Sequence, residues 1–140
     1  MSQVTTEYGH DVSRVQEFLD QLAHAVVNGH GEVAAAMWAV PALVLGDEMA
    51  LAVKAVSELE PFFTGARAQY NQRGVTGTRA EIIRLDWLTE RIAQVEVRWP
   101  WLDAQGQEVG EETSTYVLRA DDSGALKLRC AIMHGARLTH

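Results

Sequence analysis

VVNGHGEVAAAMWAVPALVLGD, residues 26–47, decides the fold. It reads as the end of one helix, a stop at Asn28-Gly29, a short Ala-rich helix from Glu32 to Trp38, a break at Pro41 and a buried strand from Ala42 to Leu45. Gly follows helices because it tolerates the left-handed backbone conformation. Pro interrupts them because it lacks the amide donor and clashes with the preceding turn. Gly46-Asp47-Glu48 then reads as a turn, and Met49 to Lys54 as a partner strand weakened by its alanines.

Upstream, Val12, Val15, Leu19, Leu22 and Val26 recur at helical spacing, which predicts an amphipathic helix from Asp11 to Val27. Met1 to His10 reads as a loose tail. Downstream, Ser57-Glu58-Leu59-Glu60 matches a capping box. The helix it opens tolerates Pro61 in its first turn, runs to about Gln72 and stops at Gly74, with Phe62 or Phe63, Ala66 and Tyr70 on its buried face.

From Thr78 onward four strands are expected. Arg79 to Leu88 puts Ile83, Leu85 and Trp87 on one face and Ile82, Arg84, Asp86 and Leu88 on the other. Ile92 to Leu102 alternates Ala93, Val95, Val97, Trp99 and Trp101 against Gln94, Glu96 and Arg98. Thr113 to Ala120 and Leu126 to Met133 follow, around turns at Asp103-Ala104-Gln105-Gly106 and Asp121-Asp122-Ser123-Gly124. The facing of Tyr116-Val117-Leu118 stays open. Helices first and a strand meander last is an α+β order, here one domain over residues 1–140: a curved sheet around packed helices, with a cavity between them.

The net charge of −7 argues against nucleic acid, whose phosphates demand a basic footprint, and against an anionic membrane surface. The only cysteine, Cys130, permits no internal disulfide; inside an apolar strand it reads as structural. No apolar run is long enough to span a bilayer, and a cytoplasmic protein is the default expectation. There is no histidine pair at metal-ligand spacing, no phosphate loop and no nucleotide fingerprint, so neither metal nor cofactor is expected.

The phrases VVNGHGEVAAAMWAVPALVL, PFFTGARAQYNQRGV and YVLRADDSGALKL resemble the NTF2-like superfamily, whose relatives include the SnoaL-like polyketide cyclases and ketosteroid isomerase. The resemblance runs from about Asp11 to Met133 and implies a cystatin-like cone, with N-terminal helices packed on a strongly curved, mostly antiparallel sheet. In the isomerase a first-helix Tyr supplies the oxyanion donor; the matching position here is Leu22. The catalytic Asp of the family falls on Gly46, with Asp47 one residue further on. The resemblance therefore implies that the isomerase apparatus is absent.

The candidate ligand-binding residues are Trp38, Phe62, Tyr70, Trp87, Trp99, Trp101 and Tyr116, because large flat rings cover apolar ligands well. The competing reading is that they simply fill the core. Catalytic candidates are Asp47 in its turn and His134, which on even parity with Leu126, Leu128, Cys130 and Ile132 would reach the cavity mouth, with the hydroxyls of Tyr70 and Tyr116 the other groups an acid–base enzyme could use. His24 lies close to the first helix's apolar stripe; His10, His30 and His140 read as terminal or turn residues. The expected function is an apolar pocket for a small hydrophobic molecule. The alternatives are a SnoaL-like isomerase, cyclase or dehydratase, or a pure dimeric assembly module. A homodimer is expected through the outer sheet face, using Ile82, Leu88 and one of Tyr116 and Val117.

Overall fold

The computed structural model describes residues 12–138, without the side chains of residues 62 and 64–67. The expected tail at Met1 to His10, and His140, lie outside the described residues. The order is α1 (Val12–Val27), α2 (Gly31–Ala36), β1 (Trp38–Gly46), β2 (Met49–Val53), a single 3-10 turn (Val56–Glu58), α3 (Glu60–Gln72), β3 (Gly77–Thr78), β4 (Glu81–Trp87), β5 (Ile92–Leu102), β6 (Glu108–Ala120) and β7 (Leu126–Leu138). One sheet runs β2-β1-β7-β6-β5-β3, with β4 also on β5. Among the described residues only β1 and β7 pair in parallel. The fold has the expected α+β order, with N-terminal helices and a mostly antiparallel sheet.

Helix α1 buries Val15, Phe18, Leu19 and Leu22 against the sheet and stops at Gly29, where φ is +71°. His24, close to the apolar stripe, is exposed, and its Nδ1 stands 3.2 Å from the Asn28 side-chain amide.

Three expectations about local structure are corrected. Helix α2 ends at Ala36, so Trp38 opens β1 and Pro41 lies inside a strand instead of breaking a helix. Pro has no amide to donate, and β1 accordingly loses register with β7 between Trp38 and Leu43. The capping box does not form. Ser57 is taken up by the 3-10 turn, Leu59 caps α3 without a side-chain bond, and the Glu58 carboxylate accepts from the Lys54 amide at 3.3 Å. Strands β6 and β7 are also longer than expected, because the polar and small residues of Glu108–Glu112 and Gly135–Leu138 pair with each other.

Bulges decide which side chains face the helices. In β4 the register shifts between Ile82 and Arg84. Ile82 therefore pairs with inward-facing Val97 and packs on the core, while Ile83 is 53% exposed. This reverses the expected facing of both isoleucines, since an inserted residue moves everything on one side of it to the opposite face. Strand β7 shifts twice against β6. Leu126, Leu128 and Ala131 are buried while Ile132 and His134 are exposed, so the even parity expected through His134 fails at Arg129. Tyr116 and Leu118 face inward, and Val117 pairs with Cys130 on the other face.

Candidate functional site

A cavity of about 600 Å³ lies between the sheet and helices α1 and α3. Its helix side is Leu22, Ala23 and Val26 of α1 with Phe63 and Tyr70 of α3. Its floor is Val44 of β1, Trp99 and Trp101 of β5, Glu112 and Tyr116 of β6, and Leu128 and Ala131 of β7. Met49, Leu51, Glu58, Arg73 and Ala136 also line it, and all five are exposed.

Strand alternation explains how this wall arises. Trp99 and Trp101 follow Ala93, Val95 and Val97 on one face of β5, where small and branched residues at one end give way to large rings at the other. Trp101 can lie flat because it stands opposite Gly110. A Cβ there would come within 2.7 Å of the Trp101 ring and 2.8 Å of the Arg137 carbonyl oxygen. Tyr70 contacts Trp101 with centroids 6.1 Å apart, Trp99 meets Tyr116 edge-on at 6.2 Å, and Trp38 meets Phe63 at 6.3 Å.

One pole of this apolar chamber is polar. The Tyr70 hydroxyl donates to Glu112 Oε1 at 3.0 Å, and Trp99 Nε1 donates to the Tyr116 hydroxyl at 3.0 Å. The Arg73 guanidinium sits 5.6 Å above the Trp101 ring. Burial pushes the Glu112 carboxyl above its ordinary range. The Tyr70 bond, the nearby Trp101 N–H (short of full hydrogen-bond geometry) and the Arg73 charge pull it back only in part. Burial, then the Glu112 charge, raises Tyr70 well above a free phenol. Tyr116 is pushed up to about 12, chiefly by burial and with a contribution from Glu112. Three titratable groups thus feel one another across one void.

The cavity brings together Trp38, Tyr70, Trp99, Trp101 and Tyr116 from the sequence candidates. Trp87 is not in its lining; it is buried in the core with the Arg14 guanidinium 5.9 Å above its ring. The side chain of Phe62 lies outside the described residues. Asp47 is exposed in the β1–β2 turn and does not line the cavity. His134 is on the outer face, where its ring nitrogens meet the hydroxyls of Thr115 at 2.8 Å and Thr113 at 3.2 Å. Cys130 is half-buried on that same face, with its thiol pushed up by burial. Among the described residues no group of His, Cys, Asp or Glu could hold a metal ion. No described helix is long and apolar enough to cross a membrane.

Glu112 was not among the sequence candidates. The available signal is parity: it falls in the series Gly110, Glu112, Ser114, Tyr116, Leu118, so an inward Tyr116 carries Glu112 inward too.

A family model described as "NTF2-like protein (DUF6841)" matches residues 11–136. No curated protein matches the chain at a significant level. Among solved structures, a cystatin-like domain of unknown function from Nostoc punctiforme is similar at TM-score 0.65 and 21% identity, over 94% of this chain and 78% of that one. An NTF-2 like protein of unknown function from Shewanella oneidensis is similar at TM-score 0.65 and 10% identity, over 88% and 98%. An NTF2-like protein with a cystatin-like fold from Novosphingobium aromaticivorans follows at TM-score 0.64 and 8% identity, over 89% and 80%.

Proposed function

The chain belongs to the NTF2-like family whose model spans its residues 11–136, and on that premise we propose that its cavity binds a small, mostly apolar molecule. The observation that carries this reading is the void itself. Protein interiors are packed to crystal-like density, and an unfilled hole in a core is destabilising. A cavity of about 600 Å³ walled by aromatic rings has the size and lining of a ligand pocket. Titration with an uncharged apolar dye such as Nile red is the test. Saturable binding with quenching of tryptophan fluorescence supports the proposal, and absence of binding overturns it.

A SnoaL-like acid–base enzyme is the second reading, favoured by one observation: Glu112, Tyr70 and Tyr116 converge on the void. A carboxyl with a raised pKa beside two phenols has the components of proton transfer. Asp47 and His134 take no part in it. A turnover that vanishes in Glu112→Gln, with folding and dye binding intact, supports this reading; turnover that persists in that variant contradicts it.

We also propose a homodimer through the outer sheet face. Leu43 is 45% and Ile132 is 36% exposed there, and the register places Leu43 beside Cys130, Leu45 beside Ile132 and Val117 beside Cys130. These residues make an apolar patch across β1, β7 and β6 that no helix covers, and contiguous patches of this kind mark association surfaces. Sedimentation at micromolar concentration should show a dimer that Ile132→Asp dissociates; a wild-type monomer would count against it.

A further inference from the structure

We infer that the free edge of β2 pairs with the same edge of a second copy of this chain, antiparallel and centred on Leu51, so that two sheets join into one. This surface is distinct from the outer sheet face. Strand β2 ends the sheet and is hydrogen-bonded on one side to β1. Met49, Ala50, Leu51 and Ala52 are all exposed. An unpaired strand edge is a template for another strand, and folded proteins guard such edges with charges, Pro, bulges or very short strands. The other end of this sheet is guarded: β3 has 2 residues, and β4 carries Glu81, Arg84 and Asp86 with a bulge between Ile82 and Arg84. The β2 edge has no such guard. Its register on β1 runs unbroken from Met49 to Val53, with no Pro and no charge in that run.

The register of the pairing follows from the hairpin and from charge. Bonded and non-bonded pairs alternate along an antiparallel ladder. Gly46 and Met49 flank the Asp47-Glu48 turn as a bonded pair, so the amides and carbonyls of Ala50 and Ala52 point away from β1. The Lys54 amide has the same parity, and it donates to the Glu58 side chain rather than to β1. A twofold axis at Leu51 sets Ala50 opposite the partner's Ala52 as a bonded pair, Leu51 opposite the partner's Leu51, and Glu48 opposite the partner's Lys54. Opposite charges then meet at both ends of the contact. The neighbouring registers set Glu48 opposite the partner's Ala52, or Lys54 opposite the partner's Ala50, and match no charge. Self-pairing about a twofold axis uses the same patch on both copies.

The pairing also covers apolar surface. Leu51 stands opposite Val44, on the cavity side of the sheet, and is 46% exposed; Met49, on the same side, is 43% exposed. Both line the cavity, so the partner's Leu51 joins its rim. Strand β2 is 5 residues long, so the contact is weak beside a face-to-face one and forms at high concentration.

The experiment uses the full chain at millimolar concentration, with Ile132→Asp throughout to remove the outer-face association and Cys130→Ser to remove the native thiol. Leu51→Cys in this background should form a disulfide-linked dimer under mild oxidation by diamide. Facing residues of a non-bonded pair have Cα atoms about 4.5 Å apart, within disulfide reach. Ile83→Cys, at an exposed site on β4, is the collision control. Leu51→Cys should link about tenfold faster or more, since pairing raises the effective thiol concentration. Adding either Glu48→Lys or Lys54→Glu should bring the rate down to the control's. Mixing those two chains should restore it, because the doubly basic edge of one meets the doubly acidic edge of the other. A Leu51→Cys rate equal to the control's, charge variants that link as fast as their parent, or a mixture that stays slow would overturn the inference. Amide exchange reads the backbone pairing without a cross-link. With Cys130 and Leu51 in place, Ala50 and Ala52 should exchange more slowly than they do in Glu48→Lys, and equal exchange would overturn the pairing.

Discussion

The Tyr70 hydroxyl stands 3.0 Å from Glu112 Oε1 and fastens helix α3 to strand β6 inside the cavity. The two residues lie 42 positions apart, so neither one's role is visible without the fold. Their bond stabilises the ionised carboxylate, while burial opposes ionisation and prevails. The pole is thereby set up to gain or lose a proton in response to what enters the void.

The first consequence is a pH dependence with a defined sign. Glu112 holds its proton more tightly in the folded chain than in the unfolded one. Its contribution is fully present below the ordinary carboxylate pKa of about 4.3 and is lost as pH rises through the raised folded value. Glu112→Gln removes this loss. Urea midpoints measured from about pH 4 to about pH 8 should show the variant gaining on the wild type as pH rises. A difference that stays constant with pH would contradict the placement of Glu112.

Tyr70→Phe should act in the opposite direction. Its hydroxyl lowers the Glu112 pKa, so removing it leaves burial less opposed and moves the window of lost stability to higher pH. The same urea series on Tyr70→Phe checks this, and an unshifted window would show that the bond has no influence on the carboxyl.

Gly110→Ala should destabilise the chain by about 1–3 kcal/mol, the usual cost of overpacking. The new methyl would press on the Trp101 ring at 2.7 Å and on the backbone of β7 at 2.8 Å. Because backbone cannot yield cheaply, Trp101 must move, and near-ultraviolet circular dichroism should change with the loss of stability. A variant with wild-type stability and spectrum would refute the close approach.

On the outer face, Arg98 joins three carboxylates: Glu81 at 2.9 Å, Glu108 at 2.5 Å and Glu111 at 2.6 Å. Arg84 stands opposite Glu96 in the register but pairs with Asp86 at 2.8 Å. Arg84→Ala should therefore cost only about 0–1 kcal/mol, as exposed pairs do. Arg98→Ala should cost more, by an amount that shrinks at high salt. Urea melts of the two variants at low and high salt decide the order, and equal losses would contradict the hub.

Much of the architecture was legible because it rests on strong periodic signals. Val12, Val15, Leu19 and Leu22 fix α1, and the run from Ala93 to Trp101 fixes the inner face of β5. The inward facing of Trp99 and Trp101 follows from the β5 period, whereas Trp38 was expected at the end of a helix rather than on β1, and the facing of Tyr116 was open. What escaped were the bulges at Ile83, near Arg129 and at His134, each of which reverses facing. They have no local sequence signature, since a bulge is set by how neighbouring strands must bend. The Arg129 side chain, for example, donates to the Pro41 carbonyl at 3.0 Å, a contact between residues 88 positions apart. Glu112 escaped because a Glu111-Glu112 pair looks solvated until Tyr116 is known to face inward.

The most direct test of the pocket compares Nile red binding by the wild type and by Ala136→Trp. Ala136 lines the cavity yet is exposed, so an indole there closes the mouth without entering the core. The wild type should bind one dye per chain saturably, with quenched tryptophan emission, and the plugged variant should fold normally and bind none. Equal binding by the two proteins would place the dye elsewhere and contradict the pocket.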